Sequence, residues 1–204
     1  MSYAEGFHMI KLDKNKNKKI HGRRIEIATY EYEKDAVVVE GRLLDTRFKH
    51  TYYLNGDFRP PGTVHELVIR MKVKGVDLRI EDIDVDMDTI PHQDCRELTN
   101  SLQPILGMKI SSGFTGKVKE KVGGAKGCTH LVALLLAMAP AAVQGAWSAI
   151  AQHPIDPSKY SGAALKFLEN TCWVWRSEGE LMKEYREKLT PKKMNIKHPT
   201  PSIE

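Results

Sequence analysis

Cysteine and aromatic residues are scarce in this chain of 204 residues, which contains three cysteines and 7% aromatic residues. An odd and sparse set of cysteines argues against a disulfide framework. The first residues show no basic stretch followed by an apolar one, so no secretory signal peptide is predicted. We therefore expect a cytoplasmic protein whose thiols stay reduced.

Motifs of several large enzyme classes are also missing. No lysine followed by Ser or Thr closes the glycine run at residues 123–127, as a nucleotide P-loop would require. A serine elbow, a dinucleotide fingerprint and a zinc-protease motif are absent as well. The basic residues lack interleaved aromatic residues, so nucleic-acid binding is not expected. The functions that remain to be considered are thiol chemistry, metal binding and ligand binding.

Composition and charge fit one soluble domain with basic ends. Apolar residues make up 41% of the chain and charged residues 28%, which is enough for a core and typical of soluble proteins. Much of the net charge of +5 comes from Lys11–Lys19 and from residues 183–198. We expect a basic, partly flexible segment over 1–22, a single domain over 23–188 and a flexible tail over 189–204.

Strand patterns fill the first half of that domain and helical patterns the second. Runs rich in β-branched and aromatic residues predict strands at 23–32, 36–48, 63–73 and 76–87. The short connections between most of them imply antiparallel neighbours. The sequence thus predicts an α+β fold, with an N-terminal antiparallel sheet of about four strands (23–90) followed by a C-terminal helical layer (91–188).

Alternation along the third and fourth strands assigns their faces. His65 has the parity of the apolar residues Leu67 and Ile69, so it is either a histidine at the core edge or a site residue under whatever covers the sheet. The apolar parity of the fourth strand switches near residues 81–82, which predicts a β-bulge. The alternating aspartates that follow, from Asp82 to Asp88, indicate a solvated strand face.

A long uncharged segment spans residues 131–151. Its length would suffice to cross a bilayer. Its many alanines and its internal proline and glutamine instead favour a buried helix, or two helices that meet near Pro140. The same segment could form a dimer interface, so a homo-oligomer is an open alternative, whereas no membrane span is expected.

The glycine-rich stretch in front of this segment is the main candidate site. Gly123, Gly124 and Gly127 permit positive φ values and close backbone approach. Cys128 or Thr129 is the expected N-cap of the long helix. Free N–H groups and the helix dipole at such a position favour a thiolate, or the phosphate or carboxylate of a bound ligand.

The remaining thiols suggest further roles. A predicted helix begins after Pro91 with Asp94 as N-cap, which places Cys95 in its first turn. Cys95, Cys128, His130 and His65 could together supply the four ligands of a zinc ion if folding brings them together. Alternatively, Cys128 packs as a small buried hydrophobe. Cys172 is expected in the core, and Trp173 could line a ligand pocket.

The order and spacing of several motifs resemble those of the bacterial family named domain of unknown function 2889. The motifs are "LLDTRF", "RPPGTVHELVIRMKV", "PHQDC", "LGMKISSGF", "GGAKGCTHLVALLLAMAPAAVQ" and "NTCWVWRSEGEL", from about Arg23 to about Leu181. The resemblance implies a coherent domain with a polar site, and it implies no reaction. By it, family motif positions fall on His65, Cys95, Cys128, His130 and Cys172. His92 departs from the residue expected in "PHQDC", so no role is assigned to it.

Two classes of function follow from these residues. In the first, Cys128 is the nucleophile or a metal ligand, His130 or His65 is the base or a co-ligand, and Cys95 is a second thiol. Such a site would act on a small acyl or anionic substrate, or would bind zinc or another soft transition metal. In the second class, the protein is a non-catalytic module or a dimeric interaction domain. As a binding module, its glycines 123, 124 and 127 would receive a carboxylate while Trp173 lines the pocket wall.

Overall fold

The computed structural model describes residues 17–152, 165 and 168–189. The chain divides into two compact units. The first comprises residues 1–110 and 114–146, and the second comprises 111–113 and 147–204. The predicted flexibility of the first 16 residues and of the tail after Leu189 lies outside the described residues.

The first unit is built on a four-stranded antiparallel sheet. Its strand order is β1-β2-β5-β6, so each long strand pairs with its neighbour in the sheet in antiparallel register. The strands are β1 His21–Glu33, β2 Ala36–Arg47, β5 Gly62–Lys74 and β6 Arg79–Thr89. All four predicted strands are therefore confirmed, with small shifts at their ends. The helices follow the sheet, and the predicted α+β class is confirmed.

A small hairpin occupies the loop between β2 and β5. Its strands, β3 Thr51–Tyr52 and β4 Phe58–Arg59, have two residues each and form a separate two-stranded sheet. The tip turns at Gly56, whose φ of 87° lies in the region that glycine adopts without strain. Strands this short carry no alternation, which is why the sequence showed only a loop here.

The sheet has one apolar face and one charged face. Apolar side chains of the inward face are fully buried, among them Leu43, Leu67 and Ile69. On the other face Arg70 donates to Glu40 at 2.9 Å and to Asp86 at 2.7 Å. This separation follows from the period of two in strand side-chain direction. Only the inward face needs a covering layer.

The predicted bulge in β6 is present. Lys72 pairs with Asp82 and Val73 pairs with Ile80, so Glu81 is the extra residue. The bulge lets Ile80 and the apolar residues after Asp82 face the same core despite their opposite parity. The four aspartates from Asp82 to Asp88 are exposed, as predicted.

The segment after β6 forms two short 3₁₀ helices in place of the predicted helix. They span Gln93–Asn100 and Gln103–Ile105. The residue before the first helix is His92, so the prediction that Asp94 is the N-cap was wrong. Pro104 has no N–H group and cannot donate to the preceding turn, which explains why the helical run is divided there.

Two helical segments, 114–122 and 129–146, complete the core of the first unit. Helix α1, Phe114–Val122, buries Phe114, Val118 and Val122. Helix α2, Thr129–Ile150, is a single helix that continues through Pro140, an exposed residue. Of the two predicted alternatives, one continuous helix and two helices meeting at the proline, the first is confirmed.

Helix α2 lies along β2 and β1 on the inward face of the sheet. Gly41 of β2 has no side chain where Leu134 and Met138 approach, and a Cβ there would lie 3.1 Å from Leu134 Cδ1. Near the far end of the helix, Gly145 packs against Thr29 of β1. Two glycines, one on each partner, thus allow a close approach of helix and sheet.

Helix α2 also has the length and apolar composition of a membrane span. Part of its apolar stretch is buried inside the protein. The core helix of a soluble protein passes the same test.

The second unit contains helix α3, Glu180–Leu189. Tyr185 of this helix makes an edge contact with Trp175, and Arg186 pairs with Glu169. Cys172 is exposed, so the prediction that it packs in the core was wrong. The flanking Trp173 is 78% exposed and stacks on the guanidinium group of Arg176 at 4.1 Å.

Candidate functional site

Three polar residues form a row across the end of the sheet. In the register of the strands, Arg23 of β1 pairs with Asp45 of β2, and Asp45 pairs with His65 of β5. Directly paired residues place their side chains on the same face of a sheet. The row therefore lies on the inward face, which also carries the buried residues Leu43, Leu67 and Ile69.

Asp45 is the anchor of this row. It is 2% exposed and is the one buried charged residue of the described core. Arg23 donates to both of its oxygens, from Nε to Oδ1 and from a terminal nitrogen to Oδ2, each at 2.7 Å. These hydrogen bonds, opposed by burial, hold the pKa of Asp45 below its usual range. The carboxylate therefore stays ionised although it is buried.

His65 takes its orientation from the same carboxylate. Its Nδ1 lies 3.0 Å from Asp45 Oδ2, and its side chain is 13% exposed. Burial lowers the pKa of His65, and the charge of Asp45 offsets that effect only in part. A neutral His65 at pH 7 donates its Nδ1 proton to Asp45 and keeps a lone pair on Nε2.

The start of α2 brings a thiol and a second imidazole to the row. Cys128 immediately precedes the first helical residue, and its carbonyl accepts a hydrogen bond from the N–H group of Val132. It is partly buried. The prediction that the glycine-rich stretch ends in a cap position at Cys128 or Thr129 is confirmed. Amides of a first helical turn have no acceptor within the helix, so this end is electropositive.

His130 lies between the thiol and the carboxylate. Its Nδ1 is 3.8 Å from Cys128 Sγ, and its Nε2 is 3.8 Å from Asp45 Oδ2. Its ring stacks on that of His65, with 3.8 Å between centroids and 32° between planes. The two ring nitrogens of His130 thus face different partners, sulfur on one side and oxygen on the other.

Burial also keeps His130 neutral. It lowers the pKa of His130, and the neighbouring His65 and Arg23 act in the same direction, while Asp45 acts against them. A neutral imidazole carries one proton and one lone pair. His130 can therefore present a lone pair to either the sulfur or the carboxylate side, according to its tautomer.

The glycines before Cys128 shape the turn that leads into α2. Gly124 has a φ of 61°, in the region that favours glycine. Gly123 and Gly127 are extended instead, but a Cβ at either would collide with a backbone carbonyl, that of Lys119 or Val122. Positive φ is confirmed at one of the three predicted positions and close backbone approach at the other two. A ligand-binding role for these glycines stays a prediction.

Asp45, His65 and His130 could hold a metal ion. One ligand atom from each of them lies within 4.8 Å of the others. Of the four predicted ligands, His65 and His130 belong to this group. Its third member is Asp45, and neither predicted cysteine belongs to it. Cys128 lies on the opposite side of the His130 ring. Cys95 lies in the 3₁₀ helix Gln93–Asn100 and is not part of the group.

Sequence reasoning identified three of the five central residues and missed two. His65, Cys128 and His130 were predicted, whereas Asp45 and Arg23 were not. The signal for Asp45 was its parity. It follows Val39 and Leu43 at even spacing on β2, so alternation places its carboxylate on the buried face. An unpaired charge there is costly, which indicates that Asp45 has a cationic partner. Its register partner on β1 would then have been the natural cation.

A family match covers the predicted resemblance as far as residue 144, and the motif "NTCWVWRSEGEL" with Cys172 lies outside it. No curated protein and no solved structure matches the chain. Residues 21–144, more than half of the chain, match the family described as "Protein of unknown function (DUF2889)". The match covers the whole sheet, Cys128 and His130, so every residue of the site lies inside it. The chain belongs to this family.

Proposed function

We propose that the protein is a thiol-dependent enzyme that acts on small acyl compounds. In this proposal Cys128 is the nucleophile, His130 is its base, and Asp45 orients that base. The observation that carries the proposal is the position of His130, whose Nδ1 lies 3.8 Å from Cys128 Sγ and whose Nε2 lies at an ion-pair distance of 3.8 Å from Asp45 Oδ2. A nucleophile, a base and a group that orients the base are the three parts such a site needs.

The reaction follows from this arrangement. The Cys128 thiol gives its proton to His130 Nδ1, and the sulfur forms a bond to the carbonyl carbon of the substrate. The bond to the leaving alcohol or thiol then breaks, and that group takes the proton from His130. Water, activated by the same nitrogen, hydrolyses the resulting thioester and releases the acid, which restores the free thiol.

The charges around the base support this direction of proton transfer. Asp45 stays ionised through its two bonds from Arg23, so an imidazolium at His130 would have a carboxylate within 3.8 Å. Electropositive amides at the start of α2 would favour the negative oxygen that develops on the substrate carbonyl. Arg23 and His65 act as positioning residues, since both bind Asp45.

The proposal includes the cellular compartment and the ligand of this enzyme. A thiol nucleophile needs a reducing compartment, which fits the cytoplasm. The three cysteines are free. We expect a small acyl or anionic ligand as the partner, and we treat α2 as a core helix because Gly41 of the sheet accommodates its side chains.

Acyl trapping tests the proposal. Mixing the protein with p-nitrophenyl acetate in EDTA should release nitrophenolate in a burst approaching about one equivalent, as expected for a covalent intermediate. Peptide mass spectrometry should find the acetyl group on Cys128. Cys128→Ser should abolish the burst, and Cys95→Ser, the matched control, should retain it. Acetylation of other residues only, or an equal burst from both variants, would refute the proposal.

A further inference from the structure

His130 faces two partners, and one imidazole lone pair cannot serve both. When the proton is on Nε2, it points toward Asp45, and the lone pair on Nδ1 faces Cys128 Sγ at 3.8 Å. When the proton is on Nδ1, it faces the sulfur, and the lone pair on Nε2 faces the carboxylate. Only the first tautomer can accept the thiol proton.

The second tautomer completes a set of metal ligands. Asp45 Oδ2 then lies 3.8 Å from His130 Nε2 and 3.0 Å from His65 Nδ1. Binding of the metal at His65 Nδ1 replaces the proton that this nitrogen donates to Asp45, so His65 takes the tautomer with its proton on Nε2. Tetrahedral ligands at about 2.0–2.2 Å from zinc are separated by about 3.4 Å. The two observed distances lie on either side of that value. One ligand atom from each of the three residues lies within 4.8 Å of the others.

We infer that Zn²⁺ binds Asp45, His65 and His130 and thereby switches off the thiol chemistry of Cys128. This inference rests on the proposed function, because it concerns the regulation of the same site. Zinc bound through Nε2 fixes the proton of His130 on Nδ1, so the imidazole can no longer accept a proton from the sulfur. Metal binding and general-base action exclude each other at one ring.

The electrostatics favour reversible binding over a permanent metal. Both imidazoles are partly buried beside the carboxylate, and a histidine binds a metal ion in its neutral form. However, Arg23 already donates to both oxygens of Asp45 and adds a positive charge beside the ion. A carboxylate has about four acceptor positions, so Oδ2 can serve the arginine and the metal together. Three protein ligands leave a fourth position for water.

Zinc titration of chelator-stripped protein tests the binding step. Competition against a chromophoric chelator should show about one ion per chain. Asp45→Asn and His65→Gln should each weaken binding by at least about tenfold, provided that circular dichroism shows the variants folded. Cys128→Ser should bind as wild type, because the sulfur lies on the other side of the ring. Equal binding by all variants, or weak binding by Cys128→Ser, would overturn the assignment of the ligands.

Alkylation with and without zinc tests the switch. In the wild type, saturating Zn²⁺ should slow the reaction of Cys128 with iodoacetamide, and EDTA should restore it, while Cys95 and Cys172 react at unchanged rates. Zinc that binds at full stoichiometry without slowing Cys128 would refute the switch. If Cys128 failed to form an acyl adduct even in EDTA, the proposed function would fail by itself, and zinc binding by Cys128→Ser would still report on the metal site.

Discussion

Asp45 of β2 and His65 of β5 are register partners whose side chains meet at 3.0 Å on the buried face of the sheet. Arg23 occupies the same position on the other side of Asp45. Strand pairing therefore assembles an arginine, an aspartate and a histidine, with the aspartate 22 residues after the arginine and 20 before the histidine. Helix α2 then adds its first turn above them, with Cys128 and His130.

The first prediction concerns the stability supplied by Asp45. Replacing it with asparagine removes a charge that holds Arg23 and His65, so Asp45→Asn should lower the free energy of unfolding by about 1.5–3 kcal/mol, the range for hydrogen bonds to charged groups. Asp84→Asn is the matched control, because Asp84 contacts Arg70 from an exposed position on the other face. That change should cost about 0–1 kcal/mol. Urea denaturation measures both, and equal losses would contradict the assigned role.

The second prediction uses the close approach of α2 to β1. Gly145→Ala would place a methyl group on Thr29 and should destabilise the protein by about 1–3 kcal/mol, although alanine is a better helix former. Gly116→Ala in α1 is the control, since nothing lies within 4 Å of its Cβ position. It should stabilise by about 0.5–1 kcal/mol. The melting temperatures of the two variants should therefore shift in opposite directions. A higher melting temperature for both would show that the space between Gly145 and Thr29 can accept a methyl group.

Much of the sheet could be predicted because one buried face imposes alternation on every strand. The bulge at Glu81 was readable for the same reason, since the apolar parity had to change there. The helical half was harder to predict. Pro104 divides one predicted helix into two 3₁₀ segments, whereas Pro140 leaves α2 unbroken. The identity of the residue does not decide between these outcomes, because they depend on how the surrounding turns pack.

The site residues at the start of helix α2 could be predicted from the sequence, whereas Asp45 and Arg23 of the sheet could not. Cys128 and His130 lie in a local motif with glycines before it. Asp45 and Arg23 become partners only through strand register, which a single sequence does not display. Cys172 was misplaced because two flanking tryptophans suggested burial, yet the structure leaves Trp173 exposed beside Arg176.

The third prediction is a loss of stability in mild acid. Burial lowers the pKa values of His65 and His130 in the folded protein below the ordinary value of 6.5. Between the folded and unfolded pKa values the unfolded chain binds more protons, so the contribution of the two histidines lowers the free energy of unfolding as the pH drops below about 6.5. Protonation of Asp45 lowers it further at more acidic pH, because the pKa of this carboxyl is depressed in the folded protein. Urea midpoints in EDTA across this window measure the effect. The double variant His65→Gln, His130→Gln should show a flatter dependence, and an unchanged slope would contradict the assignment.

The fourth prediction concerns the positioning role of Arg23. Arg23→Lys keeps the charge but cannot form the two parallel hydrogen bonds to Asp45. We expect a lower rate of acyl transfer to Cys128. A variant that lost only charge would regain its rate at higher pH, whereas Arg23→Lys should regain less, because it loses the orientation of Asp45. Pre-steady-state bursts with p-nitrophenyl acetate across pH 6–9 measure this. Arg42→Lys, on an exposed pair with Glu66, is the control and should leave the burst unchanged.

The most direct test of the account compares the three thiols in one sample. Iodoacetamide at pH 7 in EDTA, followed by peptide mass spectrometry, gives a separate alkylation rate for each cysteine. Cys172 is exposed and Cys128 is only partly so, which means that access alone would make Cys172 react first. We predict that Cys128 reacts first and that His130→Gln slows it by at least about tenfold, since a positioned general base contributes roughly 10²–10⁴-fold to a proton-transfer step. A faster Cys172, together with a Cys128 rate that His130→Gln leaves unchanged, would contradict the central claim that His130 activates this sulfur.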